Sequence, residues 1–291
     1  RITGDLNEFA PKAKIVHLDI DASSISRNVV VDVPVVSDAN NALEHLVEWA
    51  EPKNTDKWLT KISAWQEENP LEMRRDHGLS PQMIMETINE TFPQGIVVTD
   101  VGQHQMWATQ YITMPRGKQM ITSGGLGTMG FGFPAAIGAK IGDPDQDVVC
   151  ITGDGGMQMN MQEMATAICE KVPLTVCILN NYYLGMVRQM QQMFYGKRYE
   201  ITCLRRQVGC PDGCKGPNAA CPPYVPDFVK WAESYGAHGI RVHSEEEARE
   251  ALAKAKEYKD APTVIEFMIA TDELVLPMVK SGNPMSEMIL K

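Results

Sequence analysis

The chain predicts a doubly wound parallel α/β sheet flanked by helices, preceded by a remnant of a second α/β domain. Three observations carry that expectation. Short apolar runs at 96–99, 148–152, 174–179 and 263–268 have the length and β-branched content of buried strands. Helix-length stretches separate them, the alternation that builds a parallel sheet. Polar and glycine residues follow directly after the first three runs, at the strand ends where open parallel sheets bind ligands.

Element by element, 13–21 reads as a strand ending in acids, 29–36 as a short Val-rich strand and 40–49 as a helix. The polar stretch 51–76, with Pro52, Pro70 and two Trp, reads as a helical linker over the surface. Ser80-Pro81 supplies an N-cap and first-turn pair for a helix carrying Met83, Ile84 and Ile88. The next strand delivers Asp100, Gly102, Gln103 and His104 to the sheet edge, and Pro134 starts a small-residue helix through Ala139. A helix after Asn181 runs through Met186 and Met190, and Ser244 with Glu247 makes a capping box for a helix through Ala255. The expected organisation is a domain remnant at 1–50, a linker at 51–79, a main domain at 80–270 with a Cys-rich insertion at about 203–223, and a tail at 271–291.

Composition narrows the function. With 291 residues, 44% hydrophobic and 22% charged, the chain can bury one large core plus a smaller unit. A net charge of −10 without clustered Lys and Arg argues against nucleic acid, leaving small molecules and other protein chains as partners. The uncharged window 119–139 approaches membrane-spanning length, but six Gly and Pro134 make it a loop, so no membrane association is expected. The chain opens on Arg1 with no secretory signal pattern, and reads as an excised piece of a cytoplasmic protein.

The chemistry concentrates in Gly153-Asp154-Gly155, which follows one apolar strand, and Asn180-Asn181, which follows the next. Either alone is an ordinary turn or loop. Together at matching strand ends they offer an anionic oxygen from Asp154, an amide oxygen from Asn181 and a main-chain carbonyl just beyond, at Tyr183. Hard oxygen donors with positions left open for phosphate oxygens and water describe Mg2+. Gly153, Gly155 and Gly156 let the backbone approach a charged group.

These residues resemble the thiamine diphosphate fingerprint. Two further stretches, Val101-Gly102-Gln103-His104-Gln105-Met106-Trp107 and Thr122-Ser123-Gly124-Gly125-Leu126-Gly127-Thr128-Met129-Gly130-Phe131-Gly132, resemble the catalytic large subunits of acetohydroxyacid (acetolactate) synthases over most of the chain. The resemblance implies that Gln103 and His104 contact the diphosphate, that Gly127 lines the cofactor cleft, and that Met129 wedges the cofactor into a bent form. Gly155, Gly156, Gly185 and Met186 complete the cradle around Asp154, Asn181 and Tyr183. It further implies decarboxylation of pyruvate, condensation with a second 2-oxoacid to acetolactate or acetohydroxybutyrate, a structural FAD near Asp19, a homo-oligomer and a small regulatory subunit. The activating Glu of the family belongs to an N-terminal domain, so no catalytic residue is assigned here and these residues alone are expected to be inactive. Arg1, Met190 and Ser281 fall where the family lines its substrate channel; Met190 stands where many members carry Trp.

Other readings stay open. A thiamine-binding subunit of a 2-oxoacid:ferredoxin oxidoreductase would suit a Cys cluster, and a non-catalytic cofactor-binding module would bind diphosphate without turnover. Cys203, Cys210, Cys214 and Cys221 follow C-x6-C-x3-C-x6-C, which is compatible with Zn2+, an iron–sulfur site, disulfides or free thiols. Cys150, Cys169 and Cys177 fall in apolar patterns and are expected in the core.

Overall fold

The computed structural model describes residues 3–76, 78–211, 214, 218, 220–224 and 226–290. The chain divides into two units, Arg1–Leu71 with Leu276–Lys291, and Glu72–Val275.

In the first unit, β1 (Val16–Asp19) pairs in parallel with β2 (Val33–Val36). Helix α1 (Ala39–Trp49) starts where the Asp38 carboxylate accepts from the Asn40 and Asn41 amides. Ala42 is the only buried residue of α1, and α2 (Asp56–Glu68) has none. Two strands and two exposed helices enclose almost no apolar core.

The second unit contains α3 (Pro81–Thr91), β3 (Ile96–Thr99), α4 (Gln103–Tyr111), β4 (Met120–Thr122), α5 (Gly132–Gly142), β5 (Val148–Gly153), α6 (Asp154–Met157) and α7 (Met164–Cys169). It continues through β6 (Thr175–Asn180), α8 (Gly185–Phe194), α9 (Phe228–Ser234), β7 (His238–Val242), α10 (Glu245–Glu257) and β8 (Thr263–Met268). The six strands form one parallel sheet in the order β4-β3-β5-β6-β8-β7. Every residue of β3, β5 and β6 is buried, because helices cover both faces of a parallel sheet. One apolar cluster, including Val98, Phe133, Met164, Ile178 and Phe228, forms a core beside it. The register pairs Thr99 with Ile151 and Gly153 with Leu179, so Asp100, Asp154 and Asn181 leave the sheet at one edge.

Several local expectations change. Helix α5 begins at Gly132, two residues before Pro134, because the Asp100 carboxylate accepts from the Gly130 amide at 3.1 Å and the Gly132 amide at 2.8 Å and starts the turn earlier. Ser80 stands at the N-cap of α3 without a side-chain cap bond. The Ser244 hydroxyl does accept from the Glu247 amide, at 3.2 Å, and Glu247 reaches back to the His243 amide at 2.7 Å. Cys150 and Cys177 are buried as expected. Cys169 is exposed, since it ends the short helix α7 where the chain turns at Lys171 with φ 51°. Among the described residues no helix is long and apolar enough to cross a membrane.

Candidate functional site

The C-terminal ends of β3, β5 and β6 and the first turns of α4, α6 and α8 surround one cleft in the second unit. Its cavity volume is about 80 Å³.

Asp154 enters at the end of β5 and is 2% exposed. Its Oδ1 accepts from the Gly155 amide at 3.0 Å, while Oδ2 has no hydrogen-bond partner among the described residues. Burial pushes the carboxyl up to about 8, against the pull of the Gly155 and Tyr182 amides. Asn181 enters from β6. Its Oδ1 accepts from the Tyr183 amide at 3.0 Å and its Nδ2 donates to Gln103 Oε1 at 3.2 Å. Tyr182 takes φ 67°, which turns the chain so that Tyr183 and Leu184 also line the cleft.

Helix α4 begins at Gln103, and its first amides, like those of α8, start at the cleft, where free N–H groups favour an anion. The Gln103 side chain itself is committed to the protein. Its Nε2 donates to Gln189 Oε1 and to the Glu273 carbonyl, both at 2.8 Å, so the residue lines the cleft and also holds Asn181 in place. His104 also lines the cleft. Its ring donates to the Asp100 carbonyl, its Nε2 is buried without a partner among the described residues, and burial lowers its pKa to about 4, keeping the ring neutral.

Glycine leaves the space that this arrangement needs. A Cβ on Gly185 would overlap Gln103 Oε1 and lie 2.8 Å from Asn181 Nδ2; one on Gly155 would lie 2.7 Å from Leu184 Cδ2. Because Gln103 is pinned by Gln189 and Glu273, Gly185→Ala is expected to lower stability by about 1–3 kcal/mol. Urea unfolding should show this as a lower midpoint at unchanged slope; an unchanged midpoint would mean that Gln103 swings away freely.

Met129, Gly156 and Met186 line the cleft as well. Gly127 does not. It takes φ 70°, and its nearest neighbour is Val101, which forms the wall. Met190 lies one helical turn beyond Met186, in an adjacent cleft that shares only Val187 with this one. Ser281 is exposed in the other unit, and Arg1 lies outside the described residues.

Two supporting residues, Gln189 and Glu266, were not singled out from sequence, and a third, Asp100, was placed at the sheet edge without a role. Asp100, whose carboxylate also accepts from the Val101 amide at 2.7 Å, ties β3 to the glycine-rich segment. Gln189 exchanges two 2.9 Å hydrogen bonds with the Val275 backbone and holds Gln103. Glu266 is 2% exposed, accepts from Arg241 Nε and Asn180 Nδ2 at 2.7 Å each, and thereby orients the Asn180 oxygen that receives the Tyr182 amide at 2.9 Å. An acid in the middle of the apolar run 263–268 was the available signal for Glu266.

Among the described residues no group of three His, Cys, Asp or Glu is gathered for a metal ion. A cation in this cleft therefore relies on one carboxylate, amide and carbonyl oxygens, and oxygens that its ligand brings.

Comparison with known proteins agrees with this geometry. Residues 100–267, more than half of the chain, match the family described as thiamine pyrophosphate enzyme, C-terminal TPP binding domain, and residues 1–46 match the central domain of the same enzymes. The chain is 41% identical over 295 residues to the acetolactate synthase large subunit of Corynebacterium glutamicum, covering 99% of this chain and 45% of that protein. It is 39% identical over 298 residues to that of Haemophilus influenzae and 38% identical over 297 residues to that of Cyanidium caldarium. The chain spans about half the length of these curated relatives. With a strand-end cleft that presents Asp154 and Asn181 together and a family match that runs from the end of β3 into β8, the chain belongs to the thiamine pyrophosphate enzymes.

Proposed function

We propose that these residues are the C-terminal, cofactor-binding part of an acetolactate synthase, which joins two 2-oxoacids, one of them pyruvate, with loss of CO2. The observation that carries the reading is the unpartnered Asp154 oxygen sharing a buried cleft with Asn181, in a chain similar to acetolactate synthase large subunits along its whole length.

Thiamine diphosphate, when bound, supplies a carbon nucleophile and an electron sink for decarboxylation. The protein's part is to hold it. Asp154, Asn181 and the Tyr183 carbonyl would carry Mg2+, whose remaining positions go to diphosphate oxygens and water. The amides at the starts of α4 and α8 receive the anion, and His104 Nε2 becomes a donor to a phosphate oxygen once it carries a proton. Gly155, Gly156 and Gly185 give the backbone close approach, while Met129, Met186 and Leu184 form the apolar wall. Gly127 shapes the wall through Val101. Met190, Arg1 and Ser281 belong to the substrate side, where an adaptable Met190 in place of Trp is expected to relax the preference for 2-oxobutyrate.

In this reading 1–50 ends the central domain that keeps FAD, 51–79 connects it, 80–270 is the cofactor domain and 271–291 the C-terminal tail. The working enzyme is a cytoplasmic homo-oligomer, with the activating Glu supplied from an N-terminal domain and a small regulatory subunit as a further partner. The 291 residues alone are expected to give no acetolactate. Joined to the segment that precedes the matching region in the Corynebacterium glutamicum relative, and given thiamine diphosphate, Mg2+ and FAD, they are expected to give acetolactate from pyruvate and acetohydroxybutyrate when 2-oxobutyrate is added. Aldehyde, acetyl phosphate or acyl-CoA as the main product would refute the carboligase reading, and turnover by the 291 residues alone would refute the division of labour.

A further inference from the structure

The register of β5 and β6 ends at Gly153 and Leu179, so other groups must hold Asp154 and the Tyr182–Tyr183 turn together beyond it. One tie is direct: the Tyr182 amide reaches the Asp154 carboxylate. The other runs through side chains behind the cofactor cleft. Gln158 Nε2 donates to the Asp154 carbonyl at 3.2 Å and to Tyr224 Oη at 2.8 Å. The half-buried Tyr224 ring packs in turn against the Tyr182 ring, with centroids 5.3 Å apart. Tyr224 is anchored by Phe228, 5.9 Å away and fully buried in the core beside the sheet. The Arg205 guanidinium lies 4.8 Å from the centre of the Tyr182 ring. These contacts hold Tyr182 at φ 67°, which a side chain other than Gly rarely adopts. Neither Gln158 nor Tyr224 lines the cleft, so both act on it through Asp154 and Tyr182.

We propose that Gln158 and Tyr224 are positioning residues that set the spacing between Asp154 and the Tyr182–Tyr183 turn, and through it the preference of the cation site for Mg2+ over a larger cation. The oxygens assigned to the cation come from both sides of this circuit, Asp154 from the end of β5, Asn181 and the Tyr183 carbonyl from the turn after β6. Mg2+ demands octahedral oxygens at about 2.1 Å, whereas Ca2+ accepts about 2.3–2.6 Å and irregular geometry. Two halves tied twice resist the opening that Ca2+ needs; tied once, they yield. Loosening the circuit therefore costs Mg2+ more than Ca2+. The Tyr224 hydroxyl suits a fixed tie, because burial, then the charge of Asp154, raises it above its ordinary range and keeps it neutral. Gln158 is the joint. One amide nitrogen serves both acceptors, so losing either contact opens the circuit. The consequence for Mg2+ rests on the function proposed above; the circuit of contacts does not.

The test is the affinity of the 291-residue chain for thiamine diphosphate, measured by calorimetry at saturating Mg2+ and again at saturating Ca2+. Tyr224→Phe keeps the ring on Tyr182 and removes only the oxygen that Gln158 reaches. Affinity with Mg2+ should fall roughly tenfold, and affinity with Ca2+ by less than about threefold. Gln158→Met also gives up the bond to the Asp154 carbonyl and should do at least as much. Combining the two should add nothing to Gln158→Met, since both open one circuit. An equal fall with both cations would show that the pair braces the fold without setting the site, and effects that add would show that the two act separately. Either outcome overturns the proposal, as does unaltered affinity. Circular dichroism identifies a variant that has merely unfolded, and a shrinking folded fraction leaves the Mg2+-to-Ca2+ ratio where it was. A parent chain that binds no thiamine diphosphate with either cation sinks the cofactor reading and this proposal together, whereas a binding parent with an unshifted ratio in its variants sinks the proposal alone.

Discussion

Replacing Asp154 with Asn is expected to make the cofactor-free protein more stable at pH 8 while abolishing the binding of Mg2+ and thiamine diphosphate proposed above. Burial raises the Asp154 carboxyl from its ordinary 3.8 to about 8. Between those values the folded state keeps a proton that the unfolded chain has released. Stability is therefore greatest at the acid end of the window and falls as pH rises through it, by up to about 1.4 kcal/mol per pH unit. Asn cannot ionise, so the variant escapes this loss. Its advantage over the parent should be a few kcal/mol at pH 8 and shrink towards pH 4. Saturating Mg2+ and thiamine diphosphate should reverse the order, because a ligand at a hundredfold its Kd adds about 2.7 kcal/mol to the parent and little to a variant without the anionic oxygen. Urea midpoints at three pH values, with and without cofactor, check both halves. Parallel pH profiles for the two proteins would show that Asp154 is not the buried, proton-retaining group described here.

The second large effect is expected at Glu266, which does not line the cleft. Glu266→Ala removes the acceptor for Asn180 Nδ2 and one of the two carboxylates that hold Arg241, whose Nη2 also reaches Asp227 at 2.7 Å. Arg241 is 38% exposed and can turn to water, but Asn180 is 1% exposed and cannot. The orphaned amide and the lost charge-assisted bonds should cost about 3 kcal/mol. Since Asn180 also orients the Tyr182 amide, Mg2+ affinity should fall roughly tenfold. Glu266→Gln keeps an oxygen for Asn180 and should recover most of the affinity but less of the stability. A stability loss with unaltered Mg2+ affinity would show that the pair merely braces β6 against β8.

How much of this was legible in the sequence depended on whether a feature was local. The strands at 148–153 and 175–180 are continuous apolar runs, and the capping box at Ser244 and Glu247 is a short-range hydrogen-bond pattern, so both could be read directly. β4, three residues long, and β7, which contains Gly239, carry too little pattern to stand out; β4 is held by pairing with β3 and β7 by pairing with β8. The resemblance implied that Gln103 contacts the diphosphate; that its amide also bonds to Gln189, 86 residues away, and to Glu273, 170 residues away, is something no local pattern announces.

The sequence by itself determined the class of sheet, the two strand-end motifs and the kind of hard-oxygen chemistry they offer, because strand periodicity, glycine and donor type are written residue by residue. Only the tertiary structure decided that Asp154 keeps an unpartnered oxygen, that Gln103 serves Asn181, that Glu266 steers the Tyr182 turn, and that the insertion cysteines line one cavity with Tyr183. Burial and hydrogen-bond partnership belong to neighbours brought together by folding, and those neighbours set both the charge state and the free valence of each group.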